Sequence, residues 1–175
     1  YFLGVVAYER NRLEEAADHF RKLEPLRYRM LGRDYHDSLL GLSMIALAQG
    51  DLKSAEQCAA KARTFALEIR DPTSTRLSNS HAARLALAAG KLPSGPPPSP
   101  LSTDSMTHRI EVPTLTYAEL QLYQRPRPQG TRGVIAYIEE ALKHAQQRHN
   151  VRQEIRLSIL RAMALSDAGV RQAGL

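Results

Sequence analysis

The sequence predicts an all-α chain, a right-handed solenoid of about four helical hairpins interrupted once by a proline-rich stretch. Three observations lead there. Small and apolar residues recur at spacings of three and four, which places them on one face of a helix. The joints between such runs return every 39 or 40 residues. And Pro93-Ser94-Gly95-Pro96-Pro97-Pro98-Ser99-Pro100 cannot be helical, because each proline removes a backbone donor and restricts the residue before it. A lone hairpin of two amphipathic helices cannot bury its own apolar face; stacked copies bury it between neighbours.

Taken in order, Tyr1 to Arg10 reads as a first helix with Leu3, Gly4 and Ala7 on its packing face. It begins inside a helix with no Met, so the chain is expected to be a piece of something longer. Asn11-Arg12-Leu13 closes it, and a partner helix runs from Arg12 to about Met30, with Ala16, Phe20 and Leu23 inward and Pro25 ending or kinking it. The second pair spans Arg33 to Gln49 and Leu52 to Arg70, packed through Leu39, Leu42, Ser43 and Ala46 on one side and Ala55, Ala59 and Ala62 on the other. At its joint, Gly50 suits a left-handed backbone and Asp51 suits an N-cap.

The recurrence is explicit. Ala16, Phe20 and Leu23 return 39 residues later as Ala55, Ala59 and Ala62, and two further periods on as Val134, Ile138 and Ala141. Asp71-Pro72, a cap followed by proline at the first helical position, starts a third first helix to Ala89 with Ala82, Ala83 and Ala86 inward. Gly90-Lys91-Leu92 repeats the joint. Helical signal returns over Pro113 to Gln124, pauses at Arg125 to Gly130, resumes from Thr131 to about His149, and ends with Val151 to Ala168. One domain is expected over 1–175: first repeats in 1–92, an irregular segment in 93–110 and last repeats in 111–175.

Composition narrows the class. With 43% hydrophobic and 24% charged residues over 175 positions, the chain is ordinary for a globular domain. No apolar run approaches the roughly 20 residues a bilayer requires, and Tyr1-Phe2-Leu3 lacks a basic leader, so neither a membrane segment nor a signal peptide is expected. One cysteine, Cys58, excludes an internal disulfide and suits a reducing cytoplasm. The charge of +6 permits contact with a polyanion without demanding it.

Chemical motifs are sparse. His144 and His149 lie five apart rather than at the i,i+4 spacing of a zinc pair. Glu14-Glu15 and Glu139-Glu140 flank packing positions, as a solvated helix face does. His36 with Asp37, Ser80 with His81, and Ser166 with Asp167 are sequence neighbours that point apart around a helix, so none makes a triad. No glycine-rich loop with lysine is present to cradle a phosphate. No catalytic site, metal or cofactor is therefore expected in the chain. Two basic clusters, Arg27/Arg29/Arg33 and Arg125/Arg127/Arg132, have only Tyr28 interleaved, too little for a base-stacking platform.

The pairs resemble tetratricopeptide repeats through Leu3-Gly4, the Gly50-Asp51-Leu52 joint and Ala16 with Phe20. The 40-residue step is more similar to the MalT-like repeat region of large bacterial LuxR-type, ATP-dependent transcriptional regulators. Three later runs carry the same likeness: Glu111-Val112-Pro113-Thr114-Leu115-Thr116-Tyr117-Ala118, Ile138-Glu139-Glu140-Ala141-Leu142, and Gln147-Arg148-His149-Asn150-Val151-Arg152-Gln153. Pro126 and Pro128 depart from the family's usual simple joint. The resemblance implies a cytoplasmic sensor array between a nucleotide-binding switch and a helix-turn-helix module, with DNA met only by that separate module.

A stacked solenoid lines its concave side with first helices. By register Tyr8, Asp37, Met44, Arg84, Glu119 and Tyr123 are expected to face that groove, where a protein partner or a small-molecule inducer would bind. Self-association is open. A second reading, a general tetratricopeptide scaffold joined to another effector such as a kinase or cyclase, fits the same residues.

Overall fold

The computed structural model describes residues 1–95, 110–124 and 130–167. Among these every regular element is helical: α1 (Phe2–Glu9), α2 (Leu13–Arg21), a 3-10 turn (Glu24–Leu26), α3 (Gly32–Ala48), α4 (Leu52–Glu68), α5 (Pro72–Ala88), α6 (Pro113–Tyr123), α7 (Gly130–Gln147) and α8 (Val151–Asp167). No helix is long and apolar enough to cross a membrane among the described residues. The chain divides into two compact units, residues 1–98 with 108–112, and residues 99–107 with 113–175.

In the first unit each helix packs on the next, and the first helices α1, α3 and α5 also touch in a row. The joints show why the pairs fold back. Gly50 and Gly90 take φ of +80° and +71°, while Asn11 holds the same left-handed backbone at +57°. Asp51 accepts from the Ser54 amide at 3.0 Å, and Asp71 accepts from the amides of Thr73 and Ser74 at 3.4 and 3.1 Å, so both helices start on a side-chain cap. Pro25 ends rather than kinks its helix: α2 stops at Arg21 and the proline sits in the 3-10 turn.

The core of this unit is built around Phe20. A Cβ on Gly4 would lie 2.6 Å from Phe20 Cε1 and one on Gly41 would lie 2.5 Å from Cε2, so the ring is clasped between two helix backbones that only glycine allows so close. Ala7, Ala16, Leu40, Ala55, Ala62, Phe65 and Leu77 complete it. Among the expected packing positions of this unit, Leu3 and Ala82 are exposed, and Leu23, Leu42, Ala46, Ala59 and Ala86 are only half-buried. Leu3 is 67% exposed, because Gly4 and Ala7 take the inward face; Ala59 is half-buried, and Ala55 and Ala62 make the closed contacts of α4.

In the second unit α6, α7 and α8 pack mutually. Leu115, Ala118 and Leu122 of α6, Val134, Ile138 and Ala145 of α7, and Leu157, Leu160 and Ala164 of α8 are buried. Tyr117 and Tyr137 meet edge to face with centroids 4.8 Å apart, and Arg161 clasps Glu139 through two nitrogens at 2.9 and 3.0 Å. Asn150 caps α8 by accepting from the Gln153 amide at 3.2 Å, after His149 at φ +53°. The interval from 96 to 109, which holds most of the expected irregular segment, and 125–129, which holds Pro126 and Pro128, lie outside the described residues.

Candidate functional site on the first-helix face

The row of first helices in the first unit gathers polar groups around a short non-helical stretch, Ile110 to Val112. Asp37 of α3 accepts from the Ile110 amide at 3.2 Å and also receives the Tyr1 hydroxyl, tying α1, α3 and this stretch together. Three side chains of α5 hold Glu111. Ser80 donates to its Oε1 at 2.7 Å, while Arg84 Nε lies 3.1 Å and His81 Nδ1 3.3 Å from its Oε2. Glu111, His81 and Ser80 are buried, and the pairing answers the cost that burying a lone carboxylate would carry.

The network continues behind His81. Its Nε2 lies 2.8 Å from Ser43 Oγ, and Ser43 donates to the Ala55 carbonyl at 2.7 Å. Ser43 has one hydrogen, so once that is given to Ala55, the ring must donate to Ser43 from Nε2. Ser43, His81 and Glu111 therefore have the order of a nucleophile, base and acid, but the serine hydrogen points away from the ring and all three side chains are buried from solvent. His36, next to Asp37 on α3, makes a simpler link, its Nε2 lying 2.8 Å from Ser78 Oγ.

Of the six positions expected along a groove, two have another role. Asp37 is 1% and Arg84 8% exposed, so neither is open surface; each is committed to the 110–112 stretch. Tyr8 and Met44 are half-buried on α1 and α3 of the same unit. Glu119 is half-buried and Tyr123 44% exposed on α6 of the second unit. There α8 adds Ile159 and Met163, each 40 residues after Glu119 and Tyr123 and each more than half exposed. Their signal was legible as Val151, Ile155, Ile159 and Met163 at strict spacings of four.

Other candidates resolve into structural roles. Arg27 pairs with Glu68 and stacks 5.1 Å over the Phe65 ring, and Arg33 approaches Asp71 at 3.6 Å, so two members of the first basic cluster have partners within the chain. Burial pushes the Cys58 thiol above its ordinary pKa, the reverse of what a reactive cysteine needs. Among the described residues no three His, Cys, Asp or Glu side chains are placed to hold a metal ion. Compared with protein-family models, curated proteins and solved structures, the chain matches none.

Proposed function

We propose that this chain is a non-catalytic sensing and interaction domain whose hairpins stack as a right-handed tetratricopeptide-like solenoid with α1, α3 and α5 lining the concave side. Its resemblance to MalT-like repeat regions makes a bacterial LuxR-type transcriptional regulator its expected setting, with DNA read by a separate module. The observation that carries the interaction reading is the hold on Ile110 and Glu111. Side chains from separate hairpins grip one backbone amide and one carboxylate, which is how a groove recognises an extended acidic segment. Here the segment is the chain's own; in a partner the same chemistry would be an apolar-Glu-apolar run.

The test uses replacement in trans. Glu111→Ala leaves Arg84 and His81 facing an unfilled place and should lower the melting temperature; millimolar Ile-Glu-Val tripeptide should restore part of it, and Ile-Lys-Val should not. Equal effects of the two peptides, or none from either, would refute the groove chemistry. In parallel, selection from a random duplex pool should enrich no sequence at physiological salt, and any weak binding should fall steeply as salt rises. A tightly bound enriched duplex would move DNA reading into this chain.

A further inference from the structure

A cavity of about 340 Å³ opens among α2, α3 and α4, within the range of roughly 300–1,000 Å³ that small-molecule sites occupy. Its floor is apolar. Ala17 and Phe20 of α2 and Leu39, Leu42, Ile45 and Ala46 of α3 line it, and Leu42 and Ala46 keep part of their surface uncovered. Four charged side chains line it too, Arg21, Glu24, Asp51 and Lys61, two of each sign. The charge of each is felt at the Cys58 thiol, which shares the cavity and stands one turn of α4 before Lys61. Two of the four have work elsewhere. Arg21 lies 3.1 Å from Asp18, and Asp51 caps α4 by accepting from the Ser54 amide at 3.0 Å. The side chains of Glu24 and Lys61, both exposed, have no ion pair or hydrogen bond among the described residues, with each other or with a neighbour.

We propose that this slot binds a free α-amino acid with a large apolar side chain. The side chain covers the open surface of Leu42 and Ala46, the carboxylate meets the Lys61 ammonium, and the ammonium meets the Glu24 carboxylate. Balance at the mouth favours a zwitterion. The four lining charges sum to zero, so a ligand bearing a single charge brings an excess of one sign and leaves either Glu24 or Lys61 covered without a partner, the kind of mismatch a polar site rejects most strongly. The slot shares no lining residue with the network around Glu111, so binding here and binding there can fail separately.

Cys58, the one cysteine of the sequence, reports on the slot from inside it. Alkylation of the full 175-residue chain by iodoacetamide at alkaline pH, followed by intact mass, should slow saturably when L-phenylalanine, L-leucine or L-methionine is added. Hydrocinnamate, which lacks the ammonium of phenylalanine, and phenethylamine, which lacks its carboxylate, should each bind about tenfold more weakly. Each variant is compared with itself unliganded. Glu24→Gln should leave phenylalanine no better than hydrocinnamate, and Lys61→Met should leave it no better than phenethylamine; both positions are exposed, so the fold should tolerate the changes. No protection by any of the three amino acids, equal protection by phenylalanine and both analogues in the unaltered chain, or protection that neither substitution alters would overturn the proposal, the second of these by reducing the slot to an apolar site.

Discussion

The first two hairpins carry opposite residues at corresponding positions. In the first, the second helix supplies bulk and its neighbours supply space, Phe20 lying between Gly4 and Gly41. In the second, the corresponding positions carry other residues: Ala59 stands 39 residues after Phe20, while Ser43 and His81 stand 39 and 40 residues after Gly4 and Gly41 and bond to each other. The exchange changes what the buried side chains can do. An aromatic ring between glycines stabilises by burial alone, whereas a histidine in place of a glycine brings a hydrogen-bonding edge into the interior, and that edge reaches Ser43 on one side and Glu111 on the other.

The largest effect should come from removing the bulk in the first hairpin. Phe20→Ala empties a position buried on every side and should cost about 3–5 kcal/mol in chemical denaturation; a loss below about 1 kcal/mol would mean that α1 and α3 do not close on the ring. Crowding either hairpin should cost less, about 1–3 kcal/mol. Gly41→Ala places a methyl against Phe20, and Ala59→Phe places a ring at a half-buried position of α4. Combining Gly41→Ala with Phe20→Leu should cost less than the two changes summed, since the smaller side chain makes room; strict additivity would break the account of a shared space.

The smallest effect belongs to a residue outside both interiors and serves as the reference. Asp71→Ala should remove about 1 kcal/mol near neutral pH by uncapping α5. Burial raises the Asp71 pKa, but hydrogen bonds from the Ser74 hydroxyl and amide and the charge of Arg33 outweigh it, so the folded value lies below the ordinary one. The sign follows. A depressed folded pKa stabilises fully above the unfolded carboxylate range and is lost as pH falls through the folded value. Parallel pH titrations of stability should therefore converge in acid, and a gap that persists unchanged would assign the loss to something other than the cap.

Local chemistry made much of the fold legible. The caps at Asp51 and Asp71, the left-handed Gly50 and the helix limits around them lie within a residue or two of where the sequence places them, because each is decided by near neighbours. The site was less legible. Asp37 and Arg84 read as exposed positions of a first-helix face, and they do stand on that face, but their partners come from Ile110 and Glu111 across a stretch with no helical period to follow. Ser80 and His81 point apart around α5, as expected, yet Glu111 is long enough to present one oxygen to each. Of the three positions read as inward on the first helix, Gly4 and Ala7 are buried and Leu3 is not; Gly4, with no side chain, is what lets Phe20 in.

The left-handed joints have an implication for how this architecture drifts. Asn11, Gly50 and Gly90 follow one another by 39 and 40 residues, and Arg70 and His149, at φ +49° and +53°, are separated by 79. The backbone keeps the period where the alphabet does not. A residue other than glycine holds that conformation at a cost of about 1–2 kcal/mol, small enough for a stacked hairpin to absorb. Glycine can thus be lost from a joint while the joint survives, and two hairpins can share a dihedral angle without sharing a letter.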